Sequence, residues 1–413
     1  MTRVSFLLLL CLCLMTFFFA NASGVEKGDT WVVLACTSRF WFNYRHVANA
    51  LSFYQVVRRL GVPDSQIVLM LADDIPCNAR NARPGGVYHS TTHTIDLCAN
   101  GLEVDYKNEE VTVENFVRVL TGRHPPGWPI SKRLGSGNTS RVFIYMTGHG
   151  GDEFLKFHNH EEISSEDLAH TLQDMKTAGR YQDLFFVVDT CQGGTLFRRF
   201  RTPGVLAVGS SGQGENSFAH QNDMVLGVAL VDRFTDASCQ YLHKLADRAT
   251  APQLSSPLGL LSQVPLSMLL GSYNPVQLKS TPVLRSDLFE FEASREDEAE
   301  EVGDLGNHRG AATGTDSRLA QTAVTHFFGQ EERLRVVSIL EAAKDEEIES
   351  VGSRNTCSRT VEAIPVRLSQ AHIDTLSTSP ANHFEASYDR NSIMLSLLSL
   401  AMCAMNLRMC RIE

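Results

Sequence analysis

Two kinds of hydrophobic pattern alternate along the first two hundred residues. Short apolar runs rich in β-branched and aromatic residues predict buried strands. They occupy residues 31–36, 67–71, 141–147, 184–189 and 205–209. Between them, apolar positions recur at helical spacing and predict helices over about 47–57, 113–120 and 166–177. The alternation predicts an α/β fold with a mainly parallel central sheet flanked by helices.

The alternation of predicted strands and helices fades after Tyr273, which suggests that the catalytic domain ends there. We expect a catalytic domain over 23–273 and a C-terminal extension over 274–390. Six Asp or Glu residues crowd between Glu296 and Asp304, so the part from about 290 to 322 is interpreted as a flexible acidic insertion. An apolar tail, 391–413, ends the chain.

Two of the predicted strands end in residues that could carry chemistry. His149 follows one strand and Cys191 follows another, 42 residues later, and each is followed by glycine. In open α/β sheets, the crevice beyond the carboxyl ends of the strands is where sites are built. Each residue alone has a plainer interpretation, a small buried cysteine or a histidine in a turn. Together they favour a nucleophile and its base.

Composition is that of a folded acidic protein. The chain has 413 residues, 43% hydrophobic and 20% charged, with a formal net charge of −10 and a pI of about 5.8. That length and apolar content suffice for a substantial core. The negative charge argues against nucleic acid as the main partner.

The N-terminus reads as a secretory signal over residues 1–22. Arg3 precedes an apolar stretch, and Ala20-Asn21-Ala22 supplies a small-x-small cleavage site. An uncleaved anchor is the alternative. In either case the chain enters the secretory pathway, where Asn138 in Asn138-Thr139-Ser140 becomes a glycosylation candidate.

Cysteine usage and the apolar tail leave questions open. Eight of the ten cysteines lie beyond the signal, with no CxxC spacing, so no zinc site or dense disulfide scaffold is indicated. If Cys191 stays a free thiol, seven remain, so at least one is free or bonded to another chain. The tail segment 393–407 is shorter than the roughly 20 residues of a usual membrane helix. A membrane span and an amphipathic or disordered tail both remain open.

Several motifs, taken together, resemble one enzyme family. They are Asn43-Tyr44-Arg45-His46, Thr147-Gly148-His149-Gly150-Gly151 and Asp189-Thr190-Cys191-Gln192-Gly193. The chain is similar here to the legumain-like, caspase-fold cysteine peptidases. Two longer stretches, 63–74 and 111–122, are similar to the GPI-anchor transamidase branch of that family. The resemblance runs from about 31 to 234, with weaker echoes at 281–289 and 327–329.

The resemblance implies an acyl transfer in the lumen of the endoplasmic reticulum. Cys191 would cleave the C-terminal signal of a proprotein through a thioester, and the amine of a GPI glycolipid would then take the acyl group. No cofactor is implied for this chemistry. The expected partners are the proprotein signal, the GPI glycolipid and other subunits of a membrane complex. The chain would be held at the membrane through that complex.

The resemblance also implies roles for individual residues. His149 would be the base, oriented by Asn43, although an Asn before a helix can be a simple turn former. Backbone N–H groups of Gly150 and Cys191 would form the oxyanion hole. Arg45 would line the primary specificity pocket, paired with neighbouring carboxylates. A further pocket wall would include Ser210, Ser211 and Glu215, for which a plain surface loop is the alternative.

Two structural features are carried over in the same way. Asp64, the carbonyl of Ile67, Glu103 and Asp105 match a calcium site, and their oxygens suit Ca²⁺. Spacing alone would make them ordinary loop acids. Cys77 matches the cysteine that is disulfide-bonded to a partner subunit, which agrees with the odd thiol count.

Two other functions compete with the transamidase. The same Cys–His pair would support a legumain-like hydrolytic endopeptidase, a thiol protease that releases acids rather than amides. A non-enzymatic lumenal scaffold is the third hypothesis, and it is disfavoured because both catalytic candidates are present.

Overall fold

The protein is built on a seven-stranded sheet. The computed structural model describes residues 29–99, 101–249, 261, 263–290 and 317–329. The predicted signal, the apolar tail and most of the acidic insertion lie outside the described residues. The strands are β1 Thr30–Cys36, β2 Ile67–Leu71, β3 Tyr106–Lys107, β4 Arg141–Thr147, β5 Gly150–Gly151, β6 Phe154–Phe157, β7 Glu161–Ser164, β8 Asp183–Asp189, β9 Val205–Gly209, β10 Ala219–Asp223, β11 Val228–Asp232 and β12 Val283–Arg285.

Helices lie between several of these strands and after the last one. They are α1 Tyr44–Arg59, α2 Val113–Thr121, α3 Ser165–Thr177, α4 Arg233–Ala249, α5 Leu266–Gly271, α6 Pro275–Leu278, α7 Asp287–Glu290, α8 Arg318–Gln321 and α9 Thr325–Phe328. Local capping residues determine where two of these helices begin or end. Ser164 and Asp167 form a capping box at the start of α3, and Gly122 closes α2 in the left-handed conformation that glycine adopts at low cost.

The main sheet has the strand order β12-β9-β8-β4-β1-β2-β3. All its pairings are parallel except β12 with β9. Two smaller antiparallel sheets, β5-β6-β7 and β10-β11, accompany it. The predicted α/β class with a mainly parallel central sheet is therefore confirmed.

Both faces of the sheet are buried. Val32 and Leu34 of β1 point into one core, together with apolar residues of α1 and α4. Val33 of β1 points into a second core, which is covered by α2 and α3. Burial on both faces explains why the strands read as continuous apolar runs.

The core continues past the boundary predicted at residue 273. β12 adds a strand to the sheet, and Phe289, Phe327 and Phe328 are buried in the core shared with α1. The sequence did not reveal this because elements of three or four residues are too short to carry a periodic pattern. The extension thus contributes to the domain up to residue 329.

No helix among the residues that the structure describes is long and apolar enough to cross a membrane. The segment 393–407 lies outside that part of the chain.

Candidate active site

His149 and Cys191 lie at the same edge of the sheet. β4 and β8 are parallel neighbours, with Thr147 opposite Asp189, and each candidate comes two residues after its strand. The Thr190 hydroxyl donates a hydrogen bond to the Gly148 carbonyl at 2.8 Å. The residues immediately before His149 and Cys191 are thus bonded to each other. Both side chains are half-buried, so neither is lost in the core.

Asn43 fixes the orientation of the His149 ring. It lies in a 3₁₀ turn just before α1, only 2% exposed. Its side-chain amide donates to the Arg39 carbonyl at 2.6 Å, and its Oδ1 lies 2.8 Å from His149 Nε2. The Arg39 carbonyl fixes which end of the amide faces His149. Because an amide oxygen can only accept a hydrogen bond, His149 Nε2 donates and carries the proton. His149 Nδ1 is then the nitrogen with a lone pair for a thiol proton.

The surroundings of His149 favour the neutral ring. Burial, followed by the charges of Arg45 and Lys156, lowers the pKa of His149. A second histidine, His46, packs against it in a T-shaped arrangement with ring centroids 5.1 Å apart. Burial, Arg45 and His149 lower the pKa of His46 well below its usual value. A neutral imidazole at this position can act as a base.

Ser210 and Ser211 differ from the expectation that they form a pocket wall. Both side chains are fully buried. Their hydroxyls donate to the Thr190 carbonyl at 3.2 and 2.8 Å, and the Ser211 oxygen accepts from the Gly193 N–H at 3.2 Å. β9 is the neighbour of β8, so the residues after β9 pack under the turn that carries Cys191. Their side chains hold that turn in place.

Glu215 also has a structural role instead of lining a pocket with its carboxylate. Its oxygens accept hydrogen bonds from the Gly212 N–H, the Thr281 N–H and the Thr281 hydroxyl at 2.7–2.9 Å. These bonds, backbone donors first, lower the pKa of Glu215. Its carbonyl accepts from the Gln192 N–H at 2.9 Å. The loop therefore braces the residue after Cys191.

Gly150 lies where two backbone segments approach closely. A Cβ at this position would fall 2.6 Å from the Thr190 hydroxyl oxygen and 2.8 Å from the Phe154 carbonyl oxygen. Gly150 pairs with Leu155 in the small β5-β6 hairpin. Only glycine allows the His149 loop to sit against the Cys191 loop.

A buried acidic pair lies behind the catalytic candidates. Asp232, at the end of β11, receives the Arg45 Nε–H at 3.1 Å and the Asn49 amide at 2.6 Å. Asp189, which ends β8, accepts hydroxyl hydrogens from Ser217 and Thr235 at 2.6 and 2.7 Å. Burial and then the charge of Asp232 raise the pKa of Asp189 to about 6. Arg45 is thus paired with a carboxylate.

The chain matches the Peptidase C13 family over residues 30–253, more than half of its length. It belongs to the peptidase C13 family. The match includes every element that carries His149, Cys191 and Asn43.

Several curated relatives of this C13 family member are named GPI-anchor transamidase. One from Saccharomyces cerevisiae is 48% identical over 262 residues, covering 63% of this chain and 61% of the relative. One from Schizosaccharomyces pombe is 46% identical over 279 residues, covering 68% and 70%. One from Homo sapiens is 48% identical over 263 residues, covering 63% of each. The chain therefore spans less than two thirds of two of these three relatives.

A solved caspase-1 from Spodoptera frugiperda is a more distant match. It covers 63% of this chain and 86% of its own, with 13% identity and a TM-score of 0.31. A TM-score this low adds nothing to the fold assignment, which depends on the sheet topology.

The predicted calcium ligands lie near one another but form no cage. Burial raises the pKa of Asp105 to about 7, and the nearby charges of Glu103 and Asp64 add to this shift. The Tyr54 hydroxyl donates to Asp64 at 2.6 Å. Within the described ranges, no group of three or more His, Cys, Asp or Glu side chains could hold a metal ion. Calcium binding by these residues therefore stays a prediction.

Two predicted surface positions are accessible in this C13 family member. Cys77 is exposed with a free thiol, and a hydrogen bond and negative charge from Asp74 raise its pKa. Asn138 is exposed in the turn before β4.

The sequence analysis missed Asp232, Asn49 and the contact of His46 with His149. One signal was present, because Arg45 and Asn49 are four residues apart and share a helix face. Their common partner was not visible, since Asp232 lies 183 residues after Asn49.

Proposed function

We propose that this chain is the catalytic subunit of a GPI-anchor transamidase. The observation that carries the proposal is the combination of the Asn43–His149 pair and adjacent Cys191 with relatives of that name at 46–48% identity. The substrate would be a proprotein with a C-terminal attachment signal. The acceptor would be the ethanolamine amine of a GPI glycolipid.

In the first half-reaction, His149 Nδ1 takes the proton of Cys191 Sγ. The sulfur attacks the carbonyl carbon of the residue at the cleavage site. The C–N bond breaks, the departing amine takes a proton from His149, and a thioester with Cys191 remains. Asn43 keeps Nε2 protonated and the ring in one orientation throughout.

In the second half-reaction, the GPI amine attacks the thioester carbonyl. The C–S bond breaks, Cys191 sulfur leaves as a thiolate, and the amine proton passes to His149. An amine is a better nucleophile than water toward a thioester, which favours the amide product. Backbone N–H groups of Gly150 and Cys191 are the proposed donors to the oxyanion of both tetrahedral intermediates.

Hydrazine trapping tests the proposal. Hydrazine should intercept the thioester and give C-terminal hydrazides of substrate proteins, in membranes whose own catalytic subunit has been replaced by this chain. The Cys191→Ala variant should give none. Cys98→Ala, which alters a half-buried thiol, is the matched control and should give normal amounts.

The name of the family supports a second candidate, a hydrolytic peptidase. It predicts free carboxylic acids at the cleavage site and no hydrazide. Products with a new C-terminal acid, formed equally well with and without GPI or hydrazine, would refute the transamidase and favour the protease.

The proposed setting is the lumenal face of the endoplasmic reticulum, in a complex with other subunits. A cleaved signal at 1–22, a glycan on Asn138 and a disulfide through Cys77 belong to this proposal. The exposure of Asn138 and Cys77 supports the last two. Non-reducing electrophoresis should show a larger species that Cys77→Ser abolishes, and glycosidase treatment should shift the normal chain but not Asn138→Gln.

Calcium remains a part of the proposal that the family resemblance supports. No step of the mechanism depends on it. Calorimetric titration with Ca²⁺ would test it, with Asp105→Asn expected to abolish any binding.

A further inference from the structure

Four neighbouring strands of the main sheet deliver polar side chains to one edge. In the order β8, β4, β1 and β2, they lead to Cys191, His149, Asn43 and Asp73. Asp73 comes two residues after β2, as Cys191 and His149 come two residues after their strands. The first three members have roles in the mechanism, whereas Asp73 has none so far.

The loop between β1 and Asn43 contains an unfavourable backbone conformation. Phe40 has φ 75° and ψ 149°, a region that bulky side chains avoid and glycine tolerates. The Phe40 carbonyl accepts the Asn43 N–H at 2.9 Å. The preceding carbonyl, of Arg39, accepts the Asn43 side-chain amide. The conformation at Phe40 therefore sets where Asn43 points.

Asp73 holds this conformation. Its Oδ2 accepts the backbone N–H of Phe40. A carboxylate on a backbone N–H makes a charge-assisted hydrogen bond, which is stronger than a neutral one. A continuous series of hydrogen bonds thus runs from Asp73 through the 39–40 peptide and Asn43 to His149.

We propose that Asp73 is a positioning residue: its carboxylate holds the Phe40 turn so that Asn43 presents Oδ1 to His149. The inference concerns the same site as the proposed function, but it holds for transamidation and hydrolysis alike. Asp73 touches no reacting atom. Its loss should act on kcat through the orientation of His149, and should leave KM nearly unchanged.

Three variants of the full chain, assayed in its complex, test this role. Asp73→Ala removes the acceptor and should lower kcat by about 10- to 100-fold, since displacement of a catalytic group by about 1 Å can cost about 100-fold. Asp73→Asn keeps an oxygen acceptor and should retain activity within about threefold. Glu109→Gln is the control, because Glu109 pairs with Arg39 of the same loop at the surface and should not affect kcat.

A double-mutant cycle tests the reason for the effect. Glycine adopts φ 75° without steric cost, so in the Phe40→Gly background the turn depends less on its anchor. Asp73→Ala should therefore lower kcat by a smaller factor in that background than in the unaltered chain. Equal factors in the two backgrounds would overturn the backbone explanation.

A chemical readout separates this inference from the proposed function. The rate of Cys191 alkylation by iodoacetamide, followed by peptide mass spectrometry across pH, reports its pairing with His149. Asp73→Ala should slow alkylation near neutral pH, and Asp73→Asn should not. This result would support the inference even if no hydrazide forms. An unchanged alkylation profile in Asp73→Ala, or equal losses in both Asp73 variants, would refute it.

Discussion

Replacing Asn43 by alanine should disable the base without unfolding the site. Asn43 is 2% exposed and makes two short side-chain hydrogen bonds, to Arg39 and to His149. The alanine variant leaves His149 Nε2–H without its acceptor and frees the ring to rotate. The other nitrogen can then carry the proton, which is the wrong tautomer for accepting one from Cys191.

The size of the effect follows from the lost contact. A half-buried donor without a partner costs about 1–3 kcal/mol. If that energy is lost from the reactive orientation, the rate falls by about 5- to 160-fold. Asn43→Asp should also be impaired. One carboxylate oxygen would face the Arg39 carbonyl, which repels it. The negative charge would also raise the pKa of His149, so on acidification activity should be lost at a higher pH than in the native chain.

The assay is kcat and KM for transfer of a signal-bearing proprotein, measured across pH, with thermal unfolding recorded in parallel. Asn115→Ala is a matched control, since Asn115 also bonds a backbone carbonyl, at 2.8 Å, but on α2. An Asn43→Ala variant with kcat within twofold of the native value would refute the role assigned to this residue.

Three further outcomes are expected. Gly150→Ala should lose nearly all activity, because its methyl carbon would fall 2.6 Å from the nearest side-chain oxygen. Lys156→Gln removes a charge that lowers the pKa of His149. The neutral base exists only above that pKa, so a higher pKa should move the loss of activity on acidification to higher pH. Phe328→Ala truncates a ring that is 1% exposed and should lower the free energy of unfolding by about 3–5 kcal/mol.

Each of these outcomes has a control and a result that would contradict it. Gly137→Ala meets no atom within 4 Å and should remain active; equal activity of the two glycine variants would remove the packing argument. Lys176→Gln, on α3, is the control for Lys156→Gln and should not change the pH at which activity is lost on acidification; an equal shift in both variants would contradict the role of Lys156. Val276→Ala alters a side chain that is 85% exposed and should leave the melting temperature unchanged. A Phe328→Ala chain that melts normally would show that the extension is not part of the domain.

The central sheet could be predicted from the sequence because burial on both of its faces requires unbroken apolar runs in the strands. The predicted strands at 67–71 and 205–209 have the same bounds in the structure. The short strands could not be predicted from the sequence. β5, β6 and β7 have two to four residues, and their pairing depends on contacts that no local pattern encodes. The long helix α4 and the β10-β11 hairpin were also missed.

The candidate site divides in the same way. His149 and Cys191 each come two residues after a predicted strand, so the strand ends predicted their location. The functions of Ser210, Ser211 and Glu215 depend on the packing of the loop after β9 beneath the loop after β8. That arrangement is set by strand order, which a single sequence does not reveal. These residues were therefore expected to line a pocket, whereas their hydrogen bonds hold the turn that carries Cys191.

The contact between Glu290 and Arg318 has a consequence for how this gene can change. The Glu290 carboxylate accepts the backbone N–H groups of Arg318 and Leu319 at 2.7 and 3.0 Å, so the chain departs and re-enters at one point. Because a longer connection between fixed ends adds only slowly to the entropic penalty, we expect insertions between Glu290 and Arg318 to leave the described fold in place. A tag or reporter domain grafted there should be tolerated.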